Sequence, residues 1–113
     1  MPLIPHTLRV ALLANGLRAG YVQDDPYPVI KLFTPDANGT WLLARLDPHW
    51  PDLAFGLCDP GLGSPELGDV LISELEALRG PLGLAVEMDS LFEADRPLSA
   101  YAAEARRTGR IVA

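Results

Sequence analysis

The sequence predicts a single α+β domain: an antiparallel four- to five-stranded sheet with an N-terminal helix, a short middle helix and a C-terminal helix. Three observations carry this prediction. Apolar residues at 8, 12, 13 and 17 recur at the helical period. Two β-rich runs flank an Asn-Gly pair, the signature of a hairpin. The links between successive runs are short, whereas a parallel crossover needs roughly a dozen residues or more. A length of 113 residues suits one domain, residues 1–113, and 49% hydrophobic residues supply its core without a disulfide or metal staple.

The first helix is expected over residues 7–19, with Thr7 as N-cap, Gly20 as stop and Gly16 weakening the last turn. Asp24-Asp25-Pro26-Tyr27-Pro28 then forces extended backbone. Residues 29–33 read as a strand, residues 35–39 as a turn through Asn38-Gly39, and residues 40–46 as the returning strand. After a proline-bracketed loop at 47–52 come strands over 53–59 and 66–72, joined by the Pro- and Gly-rich turn 60–65. Ser73 and Glu76 have the spacing of a capping box, so a short helix starts there and stops at Gly80-Pro81. Residues 85–92 read as a fifth strand, with Val86 and Met88 on one face. The last helix spans 97–107, with Pro97 in its first turn, Asp95 as cap and Gly109 at its end.

Composition narrows function. The start lacks a basic n-region and a long apolar core, so it does not read as a signal peptide, and no long apolar run spans a membrane. The expected location is the cytoplasm. Net charge is −6, distributed as +2 over residues 1–23, −10 over 24–103 and +2 over 104–113. An acidic middle disfavours direct nucleic-acid binding, and the arginines at 106, 107 and 110 suit the C-terminal end of a helix dipole.

No catalytic constellation emerges. His6 lies in the N-terminal arm, and His49 sits between prolines in an exposed loop. Cys58, the lone cysteine, adjoins Asp59 in apolar surroundings that disfavour a thiolate, and reads as a core residue. The acids lack calcium-loop spacing, and the run from Gly56 to Gly68 lacks the Gly-Lys-Ser/Thr ending of a phosphate loop. No metal or cofactor is expected. Asp59 reads as a cap of its own turn and Glu66 as solvated, although the two could face each other across a hairpin. Aromatics, Tyr27 among them, are read as core, and Trp50 as a lid over it.

Asp25-Pro26-Tyr27-Pro28-Val29, Lys31-Leu32-Phe33-Thr34-Pro35 and Thr40-Trp41-Leu42-Leu43 resemble the opening of a bacterial family, domain of unknown function number 2958. The similarity continues through residues 51–59, 65–68, 71–75, 97–101 and 109–111, nearly the whole chain. Asp69 departs from it where an aromatic is expected, as does Met88-Asp89-Ser90-Leu91 where Arg-Asp-Leu and a nearby histidine are expected. The resemblance implies a small cytoplasmic bacterial protein of plasmids and integrated mobile elements, found near antirestriction or DNA-processing genes, and implies no catalytic residues.

The favoured expectation is a non-enzymatic accessory factor that binds another protein through turn-side residues Asp25, Tyr27, Lys31, Asp59 and Glu66. An enzyme or ligand binder using carboxylates near Asp59 and Glu66 is the alternative, and an acidic DNA mimic the third reading. An unpaired edge strand leaves room for a homodimer.

Overall fold

The computed structural model describes residues 2–19 and 24–113. Its elements are α1 (His6–Ala19), β1 (Ile30–Phe33), β2 (Thr40–Leu46), β3 (Leu53–Asp59), β4 (Glu66–Leu71), α2 (Ile72–Ala77), β5 (Glu87–Met88) and α3 (Leu98–Thr108). The five strands form one antiparallel sheet in the order β4-β3-β2-β1-β5. The α+β architecture and the element order are those the sequence predicts. Among the described residues, no helix is long and apolar enough to cross a membrane.

Alternation along the strands assigns each residue to a face. Ile30, Leu32, Trp41, Leu43 and Ala54 face one side, where Leu12 of α1 and Ile72 and Leu75 of α2 complete a buried cluster. Leu42, Ala44 and Leu57 face the other, where they meet Leu98, Tyr101, Ala102 and Ala105 of α3. The β2–β3 register slips between Leu43 and Arg45, so Ala44 is bulged. The Asn15 side chain donates to the Ala44 carbonyl at 2.8 Å, tying the bulge to α1.

Several local expectations are corrected. Thr7 is not the N-cap of α1, because the helix begins at His6 and the Pro5 carbonyl accepts from the amides of Leu8 and Arg9 at 3.1 and 3.0 Å. Gly20 and Tyr21 lie outside the described residues. Gly16 is a packing requirement: a Cβ there would collide with the Leu46 carbonyl. Between β1 and β2, neither Asn38 nor Gly39 adopts positive φ. The Ala37 amide bonds the Thr34 carbonyl at 3.3 Å and the Gly39 amide bonds Thr34 Oγ1 at 2.7 Å. Gly39 is small because the Trp41 ring packs over it.

Both later helices are capped from a distance. In α2 the expected box fails: the Ser73 amide and hydroxyl donate to the Asp52 carboxylate at 2.9 and 2.6 Å, and Glu76 accepts instead from the Leu3 amide at 3.1 Å. The helix ends at Ala77, before Gly80-Pro81. In α3 the Ser99 amide donates to Asp25 at 3.0 Å, its hydroxyl bonds the second Asp25 oxygen, and the Leu98 amide reaches the Pro26 carbonyl at 2.9 Å. Asp95, the expected cap, accepts from the Tyr101 hydroxyl at 3.0 Å. Gly109 closes α3 in the left-handed conformation, as its position predicts.

The fifth strand contracts to Glu87–Met88 because Asp89 turns the chain, accepting from the Leu91 amide at 2.9 Å. Val86 and Met88 do share the first core's face. Trp50 is not a lid: it is 54% exposed, and Tyr27 is likewise on the surface.

Candidate functional site

A groove of about 700 Å³ opens at one end of the sheet, where the β1–β2 loop, the β3–β4 turn and the segment after α3 converge. Each wall has a local cause. Thr34 pins Gly39. Asp59, only 4% exposed, uses one carboxylate oxygen to accept from the amides of Gly61 and Leu62 at 2.8 and 3.1 Å. This is the aspartate turn its position predicts. Gly61 and Gly63 adopt positive φ, which only glycine does without strain, and Gly61 fits against Asn38. Lys31 projects into the groove, 3.7 Å from the Asp89 carboxylate and donating to the Ala113 carbonyl at 2.7 Å. Arg110 lines the outer margin.

Two exposed leucines crown the turns that adjoin the β1–β2 loop. Leu62 is 81% exposed at the crest of the β3–β4 turn, and Leu82 is 79% exposed at the crest of a tight turn over residues 79–85. Asp36 fixes that second turn to the β1–β2 loop, accepting from the Leu82 amide at 2.7 Å while its other oxygen abuts Gly80. Both turns therefore rest on the β1–β2 loop, the second through Asp36 and the first through Asn38 against Gly61.

The five turn-side residues singled out from sequence occupy different places. Lys31 and Asp59 share the groove. Glu66 opens β4 beside the turn and is exposed, but it pairs with Cys58 and so projects from the opposite face to Asp59. The two carboxylates therefore do not converge. Asp25 caps α3, and the adjoining Tyr27 is exposed at that separate location. Thr34, Asn38 and Arg110 are among the residues that complete the groove. Only the Asn-Gly pair and the glycine-rich turn hinted at them in sequence.

Acid is spent largely on architecture. Asp25, Asp36, Asp47, Asp52, Asp59 and Asp89 each accept at least one backbone N–H. The negative middle of the sequence is therefore distributed over separate loops. Cys58 lies half-buried with its sulfur 3.9 Å from the carbonyls of Gly56 and Gly68. Burial, and secondarily the Asp69 charge, push its thiol up to about 11, which suppresses the nucleophilic thiolate. Among the described residues, no group of three or more His, Cys, Asp and Glu side chains is arranged to hold a metal ion.

A family model described as "Protein of unknown function (DUF2958)" matches residues 3–112. Neither the curated proteins nor the solved structures contain a match to this chain.

Proposed function

Since the chain belongs to the DUF2958 family of unknown function, we propose from its geometry that it is a non-enzymatic accessory factor that binds another protein through the groove end of its sheet. The observation that carries this reading is the pair of exposed leucines, Leu62 and Leu82, each held on an aspartate-pinned turn that packs against the β1–β2 loop of the groove wall. Large apolar side chains on loops of fixed backbone lose little conformational freedom on association, so their burial converts efficiently into affinity. Lys31, Asp59 and Arg110 supply polar partners inside the groove. Glu66 lies beside the same turn, whereas Asp25 and Tyr27 form a separate part of the surface.

The factor acts in the cytoplasm of a bacterium, in the maintenance or transfer of a plasmid or integrated mobile element; the support for this setting is the family resemblance alone. A photo-crosslinking residue placed at Leu62 or Leu82 in cells should give one discrete adduct. The same residue at exposed Val10 on α1 should not. Identical adduct patterns from all three positions, or none from the two leucines, would refute the reading.

A further inference from the structure

A second groove, of about 560 Å³, lies at the opposite end of β2, between the last turn of α1, the β2–β3 loop and the β4 side of the sheet. Leu17, Pro48, Leu53 and Phe55 give it apolar walls. Within it the Arg45 guanidinium stacks over the Phe55 ring, 4.1 Å from the centroid. Arg45 is half-buried and makes neither an ion pair nor a side-chain hydrogen bond among the described residues. We propose that this groove binds a small monocarboxylate with an apolar body, its carboxylate held by Arg45.

Three features fit that ligand. Stacking on Phe55 occupies one face of the guanidinium and leaves its in-plane N–H donors available for a two-pronged grip on a carboxylate. The arginine is preset: the Ala44 bulge, tied by Asn15, turns Arg45 onto the face of its partner Phe55. Gly16 lets α1 approach the Leu46 carbonyl closely enough to form the wall. Asp69, paired with Phe55 across the next strand, also lines the groove. Its negative charge opposes a dianion and so selects a monocarboxylate over inorganic phosphate. Hydrophobic walls with a few fixed polar groups are the usual make-up of a small-molecule site.

Benzoate titration of the whole chain, followed by NMR, tests this. The Arg45 Nε–Hε signal and the amides of residues 53–55 should shift saturably, while benzyl alcohol and inorganic phosphate should not saturate. Arg45→Met should abolish saturation with the rest of the spectrum retained. Arg45→Lys, which keeps charge but loses the fork, should weaken binding about tenfold. Asp69→Asn, on an exposed edge-strand position, should tighten it about threefold by removing the repelling charge. The same shifts in Arg45→Met, weaker binding in Asp69→Asn, equal binding of phosphate, or no saturation by benzoate would each overturn the proposal.

Discussion

The two faces of the sheet are built differently. The first is closed by large aliphatic side chains: Leu12, Ile30, Leu32, Leu43, Leu46 and Ile72 are all essentially inaccessible. The second mixes sizes, setting Leu42, Leu57, Leu98 and Tyr101 beside Ala44 on the sheet and Ala102 and Ala105 on α3. Its borders are polar and aromatic, with Arg45 on Phe55 at one side and Arg96 stacked 4.5 Å above Tyr101 at another. Arg96 also bonds Glu104 at 2.7 Å. One face buries methylenes, which stabilise by about 0.8 kcal/mol each. The other lets a helix approach the sheet closely and leaves recesses beyond its ends. The larger aliphatic seal thus lies on the first face, and the arginine–aromatic stacks lie on the second.

Substitutions can break that contrast, beginning with the largest effect. Leu43→Ala removes three carbons from the sealed face and should cost about 2–5 kcal/mol in chemical denaturation. Ala105→Leu attacks the close approach on the other face; overpacking should cost about 1–3 kcal/mol. Because α3 leads directly into Gly109 and Arg110, it should also perturb amide shifts around the first groove. A Leu43→Ala variant that perturbs the groove equally would erase the distinction.

Cap removal comes next. Asp25→Ala and Asp52→Ala should each cost about 1 kcal/mol, in line with the usual value of a helix cap. The two should add, since the caps share no partner. Tyr101→Phe, which leaves the packing and deletes the bond to Asp95, should cost about 0.5–1.5 kcal/mol in the same experiment.

The smallest effect is the pH dependence from Cys58. Its folded thiol titrates near 11, above an ordinary value of 9.0. Below pH 9 both folded and unfolded chains hold the proton, so this contribution is fully present. Between about pH 9 and 11 the unfolded chain ionises first and the contribution is lost. Unfolding curves for the wild type and Cys58→Ala should therefore diverge over that window and run parallel below it.

The strands were legible because their information is local. The limits of β2 and β3 fall where the alternating runs and the bracketing prolines place them. The caps were not, because their partners are remote in the chain. Ser73 and Glu76 satisfy a local rule, yet Asp52 takes the Ser73 donors; Asp95 is well placed for α3, yet Asp25, 74 residues before Ser99, takes the Ser99 donors. Gly16 was read for backbone propensity when its role is contact with Leu46. Lys31 and Asp59 were recognisable as turn-side polar residues, but their shared groove depends on three loops closing together. Arg45 carries no signal in the residue pattern, because a bulge decides which way it points.

The remote caps also order events in time. In both cases the aspartate precedes its serine in the chain, so a ribosome delivers the acceptor before the helix that needs it. Asp52 precedes Ser73 by 21 residues, whereas Asp25 precedes Ser99 by 74, so the second cap closes a far longer loop. α3 thus meets a cap acceptor that was synthesised before it. A circular permutant that moves α3 ahead of β1 would reverse that sequence of arrivals without altering a single contact.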